Sequence, residues 1–259
     1  MSISIITRSV RSSELKNFVN NIVPKEDADI EIIAVSKVND YDLGGNINLI
    51  VENSNRFEAK ITGIKNATYD KVLFLDSDQV PQEGLLSELD NKDDDMVIIP
   101  ERSLNNNFTA ICLDDWRFRN ERMAMKNPNP YIPVVPRFFK KEYVMKAIEI
   151  INPKLYNVMT HEDSILYYEV YKLTKRVSFS KKYIYNNDPS FSLLMKKAFY
   201  YGKNYKEIKS SDIPFEIVDL IDRLDTNTLN FKELGIGKGY LIQILRGMMY
   251  KLGSLSNQI

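Results

Sequence analysis

Short apolar runs and amphipathic stretches alternate along the first part of the chain. Residues 3–7, 30–35, 48–51 and 72–75 are runs rich in Ile, Val and Leu. Such runs read as strands, the first and the last of them buried. Between the first two, Leu15, Phe18, Val19 and Ile22 recur at helical spacing, with Ser12 or Ser13 as the cap and Pro24 as the stop. Between the last two, Phe57, Ile61, Ile64 and Ala67 mark a second helix, after a polar turn over 39–46 with Gly44 and Gly45. The order strand, helix, strand, strand, helix, strand predicts a parallel-sheet α/β domain.

Further on, residues 82–89 and 142–151 read as helices, and 96–100 and 132–139 as extended segments. The stretch 110–126 sets Trp116, Phe118 and Met123 among Arg117, Arg119 and Arg122, a helix with one charged face. A helix opens at Thr160, short strands follow at 177–179 and 183–185, and helices at 191–205, 212–224 and 239–255. The expected organisation is a domain over 1–205 and a helical C-terminal extension over 206–259.

The fourth apolar run ends abruptly in Asp76-Ser77-Asp78, and Pro81 is expected to bar a continuing strand. Asp-x-Asp occurs four times in this chain, but the other three copies lie in polar, turn-like contexts. Carboxylates at the C-terminal edge of a buried strand stand where open α/β sheets bind ligands. Two of them suit a divalent cation, and a cation suits a diphosphate. The competing reading is a strand-to-helix turn capped by Asp78.

Composition narrows the classes. The 259 residues carry no net charge, so no overall field points to nucleic acid. The single Cys112 excludes an internal disulfide and fits a reducing compartment. No stretch approaches the length of a membrane span, and the first residues are too short an apolar run for a signal peptide. The expected location is the cytoplasm or the inner membrane surface.

The segment Asn55-Arg56-Phe57-Glu58-Ala59-Lys60-Ile61-Thr62-Gly63, then the apolar run into Asp76 and Asp78, then Glu162-Asp163 opening a helix, resembles the family 2 glycosyltransferases. That family carries an Ala-Arg-Asn-x-Gly helix; here Ala59, Lys60 and Gly63 match, with Lys for Arg and Ile61 for Asn. The resemblance spans most of residues 1–190. It implies a GT-A fold, a mostly parallel sheet flanked by helices. It implies an inverting, metal-dependent transferase of hexosyl type that moves a sugar from a nucleotide-diphosphate donor. It assigns Asp78, with Asp76, to a Mn2+ or Mg2+ ion, and Asp76 to the nucleotide ribose as well. Thr7, Arg56, Lys60 and Glu162 become donor contacts, and Asp163 the catalytic base. The expected acceptor is a glycan or a lipid-linked molecule.

Departures accompany the match. The first strand leads into Thr7-Arg8-Ser9 rather than a Pro-x-x-Asn-Glu turn, and Ser36-Lys37 stand where the family has a base-reading Asp. Asp188 replaces a metal-binding His found in many members. Thr160-x-x-Asp163 also has the spacing of a capping box, a structural rival to the base. Other classes remain in view: a haloacid-dehalogenase-type phosphohydrolase, whose motif usually opens the domain, and a glycosyltransferase-like binding module without catalysis. A sugar nucleotidyltransferase or a dinucleotide oxidoreductase lacks its Gly-rich loop after the first strand.

At the C-terminus Leu241, Leu245, Met248, Leu252 and Leu255 form one helical stripe, and after Glu233 every charged side chain is basic. The stripe over 238–255 either lies on an anionic membrane surface or packs on the domain or against a second subunit.

Overall fold

The structure is a computed structural model that describes residues 2–9, 12–22, 29–37, 39, 47–157, 160–210, 213–227 and 237–256. The sheet is built from β1 (Ser2–Ser9), β2 (Asp29–Ser36), β3 (Ile47–Val51), β4 (Lys71–Phe74), β6 (Met96–Ile98), β8 (Pro136–Lys140) and β9 (Val177–Phe179). Its order is β3-β2-β1-β4-β8-β6-β9. All strands run parallel except β8, which is antiparallel to both neighbours, β4 and β6. That single reversal matters for the site. It brings the start of β8 to the edge where β1 and β4 end.

Buried strands need both faces apolar, and successive residues divide between two cores. Ile6, Ile33, Val72 and Phe139 face α2 (Arg56–Asn66), α5 (Lys141–Ile150) and α6 (Glu162–Leu173). Their neighbours Ile5, Ile32, Leu73 and Phe138 face α1 (Ser12–Ile22) and α3 (Leu85–Asp90). Each fully buried side chain of this size contributes roughly 1.5–3 kcal/mol. Helix α2 sits close on β1 because residue 63 is glycine: a Cβ there would fall 2.3 Å from Ile6 Cγ2.

A second, three-stranded sheet joins β5 (Gln79–Pro81), β10 (Ile184–Asn186) and β7 (Glu101–Ser103) in the order β5-β10-β7. β4 stops at Phe74, and Pro81 ends β5, an edge strand, where proline is tolerated. The expected strand over 96–100 is β6, which ends at Ile98, and β7 lies just beyond it. The remaining helices are α4 (Phe108–Lys126), α7 (Phe191–Ser210), α8 (Phe215–Asn227) and α9 (Lys238–Leu255). Helix α7 runs unbroken across the expected boundary at 205/206. Pro24 and the turn with Gly44 and Gly45 lie outside the described residues.

Candidate functional site

The ends of β1 and β4 and the start of β8 meet at one sheet edge. Ile6 pairs with Phe74, so Thr7 and Arg8 stand beside Leu75 and Asp76. Leu73 pairs with Phe138, which sets Arg137 at the same edge. Helix α2 enters from the side with Asn55 as its cap. The Asn55 side chain accepts from the Glu58 N–H, and the Glu58 carboxylate accepts from the Asn55 N–H, a closed capping box. This fixes Arg56 and, one turn on, Lys60 toward the edge. Helix α6 presents Glu162 and Asp163 in its first turn, where a helix favours negative charge.

The charges then pair across elements. Lys60 is only 9% exposed. Its ammonium contacts the Asp163 carboxylate and lies 3.7 Å from Glu162. Arg56 reaches Glu162 at 3.9 Å. Arg137 donates to Glu101 at 2.9 Å and lies 3.5 Å from Asp76 and 3.7 Å from Asp163. Burial alone would raise the Asp163 carboxyl, but Lys60 and Arg137 outweigh it and hold it below the ordinary range. Glu162 goes the other way: burial raises it, and Lys60 offsets only part of that rise. Lys60 itself is held above the usual lysine range; burial opposes its charge, but Asp163 and Glu162 prevail.

The capping reading of Thr160-x-x-Asp163 is corrected. The cap position is His161, in the left-handed region at φ 64°, and no side chain caps the helix there. The Thr160 hydroxyl is buried without a hydrogen-bond partner among the described residues. Asp163 spends its charge on Lys60 and Arg137 instead.

Asp78 is exposed, and the charge of Lys197 acts on it. Crowding by the surrounding protein and the charge of Asp76 push its carboxyl above the ordinary range. Two mutually repelling carboxylates fit a divalent cation that completes its shell with phosphate and water. Among the described residues no group of three or more His, Cys, Asp or Glu could hold a metal unaided. Asp188 borders the same cavity as Asp78 but is engaged by other partners. It is 7% exposed, bound bidentately by Arg117 at 2.8 and 2.5 Å, and accepts from Ser103.

A hydrogen-bonded ring ties the aspartate turn to Arg137. The Asp76 N–H donates to Gln79 Oε1 at 2.9 Å, and Gln79 Nε2 donates to Asn186 Oδ1 at 2.7 Å. Asn186 donates to Glu101 at 2.9 Å, Glu101 accepts from Arg137, and Arg137 returns to Asp76. Sequence reading passed over Arg137, Glu101 and Gln79. The available signal was an arginine inside the apolar run Val134-Val135-Pro136-Arg137-Phe138-Phe139.

Two cavities meet at this edge. One of about 690 Å³ is lined by Thr7, Arg56, Lys60, Asp76, Asp78 and Glu162. The other, about 530 Å³, is lined by Asp163 together with Trp116, Val135, Leu224 and Tyr250. Arg56, Asp76, Arg137, Glu162 and Tyr201 border both. A charged molecule in the first cavity and a less polar one in the second would therefore meet at Asp76 and Glu162.

This sheet, with its lone antiparallel strand and flanking helices, is a glycosyltransferase fold of the GT-A type. The chain is similar to the structure of S. aureus TarS 1-349 in complex with UDP-GlcNAc, with 16% identity and a TM-score of 0.55, over 100% of this chain and 92% of that one. It is also similar to the mannosyltransferase PcManGT from Pyrobaculum calidifontis in complex with GDP-Man and Mn2+, with 13% identity and a TM-score of 0.61, over 99% of this chain and 88% of that one. No family model and no curated protein sequence matches the chain.

Proposed function

We propose that this protein is an inverting glycosyltransferase of the family 2 type that moves a hexose from a nucleotide-diphosphate sugar to an acceptor hydroxyl. The observation that carries this reading is the meeting of two cavities at one charged border, with Asp76 and Asp78 in the first and Asp163 in the second. The donor diphosphate lies along Thr7, Arg56 and Lys60, and the acceptor occupies the cavity walled by Trp116 and Tyr250. That the similar structures hold UDP-GlcNAc, or GDP-Man with Mn2+, supports a nucleotide-sugar donor by analogy of fold.

Asp163 accepts the proton of the acceptor hydroxyl. The acceptor oxygen bonds to the anomeric carbon as the bond from that carbon to the diphosphate breaks, and the nucleoside diphosphate leaves. Asp78 and Asp76 would hold a divalent cation, whose charge would stabilise the departing diphosphate. Lys60 holds Asp163 ionised before the donor arrives. The diphosphate then offers Lys60 a stronger anion, which frees Asp163 to act as a base. Arg137 keeps Asp163 oriented throughout.

The test is a screen of UDP-, GDP-, CDP- and dTDP-sugars for Mn2+- or Mg2+-dependent binding and slow donor hydrolysis, with Asp78→Ala and Asp163→Asn alongside. Binding that Asp78→Ala weakens and turnover that Asp163→Asn abolishes are expected. If no donor binds and simple phosphate esters are cleaved, the phosphohydrolase reading replaces this one. Donor binding without transfer or hydrolysis would leave a binding module.

A further inference from the structure

Helix α9 shows its apolar stripe to solvent. Leu241 is 54% exposed, Met248 59%, Leu252 54% and Leu255 45%. The alternative that this stripe packs on its own domain is therefore corrected. The opposite face, with Ile242 and Gln243, is the one that is buried.

The rotation of the helix is fixed by close backbone contacts. A Cβ at Gly202 of α7 would lie 1.8 Å from the Tyr250 carbonyl oxygen, and one at Gly253 would lie 2.0 Å from the Phe199 carbonyl oxygen. Any turn of α9 that hid the stripe would break both contacts. The outward apolar face is thus built into the fold.

Charge identifies what covers it. No acidic residue occurs in α9, whose charged residues are Lys238, Arg246 and Lys251. At about 100° per residue, Lys238 lies roughly 60° to one side of the stripe and Lys251 roughly 80° to the other. Lysines flanking an apolar stripe can bury their stems and keep their ammonium groups at the headgroup level. A symmetric pairing with a second copy would gather the basic residues of two such helices with no acid on either helix to balance them. No described helix is long and apolar enough to cross a membrane.

We propose that α9 docks this protein on an anionic phospholipid surface, lying in the interface with Leu241, Met248, Leu252 and Leu255 inserted. The other side of α9 supplies Gln243, Arg246, Gly247 and Tyr250 to the cavity that holds Asp163. Docking would therefore set that cavity beside the lipid headgroups. The inference does not depend on the transferase reading.

Co-sedimentation of the full chain tests it, with vesicles of phosphatidylcholine alone and with phosphatidylglycerol added. The chain should pellet with the anionic vesicles, and salt should weaken the binding. Met248→Asp combined with Leu252→Asp should lower partitioning by about tenfold or more. Lys238→Glu combined with Lys251→Glu should remove the preference for anionic lipid. All four side chains are at the surface or beside it, so circular dichroism and the unfolding midpoint should stay unchanged, which separates lost docking from lost folding. Three results would overturn the proposal: no pelleting with either vesicle, unaltered pelleting of the variants, or a lipid-free dimer that Met248→Asp splits.

Discussion

Replacing Lys60 with methionine keeps most of the side-chain volume and removes its charge. Two carboxylates then lose their nearest cation, Asp163 in direct contact and Glu162 at 3.7 Å. Removing one partner of a buried pair costs about 3–5 kcal/mol. For a chain of this size that is a fall in the unfolding midpoint of about 10 °C. The penalty should depend on pH. In the native protein Asp163 is held low, so its pairing adds stability above the ordinary carboxylate range and loses it as pH falls through the depressed value. Lys60 is held high, so its contribution is present below the ordinary lysine value and is lost as pH rises through the elevated one. Between these limits Lys60→Met should be most damaging. Because burial raises the Glu162 carboxyl, Glu162 is the first of the two acids to be neutralised as pH falls, and the gap to the native protein should narrow. Urea unfolding at pH 5 and pH 8 measures this, with Lys60→Met/Glu162→Gln as the second arm. The double variant should recover about 1 kcal/mol or more at pH 8. A penalty below about 1 kcal/mol, or one equal at both pH values, would refute the claim that Lys60 neutralises a buried acidic pair.

Asp163→Asn should leave a folded protein whose turnover falls by about 10²–10⁴, measured with the donor found in the screen. Asp78→Asn should abolish metal-dependent donor binding, seen by calorimetry, without lowering the unfolding midpoint at pH 7. The raised Asp78 carboxyl costs stability when ionised, so any gain in the variant should shrink as pH falls. Lys197→Ala should raise the donor KM several-fold while Lys196→Ala does not, because Lys197 lines the cavity with Asp78 and its charge acts on that carboxylate. Gly202→Ala should destabilise the chain by about 1–3 kcal/mol in urea despite the better helix propensity of alanine, because its Cβ meets the Tyr250 carbonyl.

The central strands are legible because β1, β2 and β4 are buried on both faces, and only continuous apolar runs satisfy that. The aspartates are legible for a related reason. Asp76 and Asp78 interrupt a buried run at its end, whereas the other three Asp-x-Asp copies interrupt nothing. What stays hidden is pairing at long range. Arg137 and Glu101 are 36 positions apart and meet only because β8 reverses direction. The three-residue strands β5, β7 and β10 are too short for periodicity to register. The outward rotation of α9 is likewise invisible in its apolar spacing. It follows from glycines that fit carbonyls of a neighbouring helix.

The ring through Gln79, Asn186, Glu101 and Arg137 has a consequence for descent. Each member satisfies a buried group of the next, so a change at one position leaves a polar atom of another without its partner. Single replacements should be purged, and tolerated ones should come in sets. Among relatives that share this sheet, positions 79, 101, 137 and 186 should drift together, and lineages lacking Arg137 should also have abandoned Glu101. An alignment in which these four vary independently would mean that the ring is a local accident of this chain and not an inherited unit.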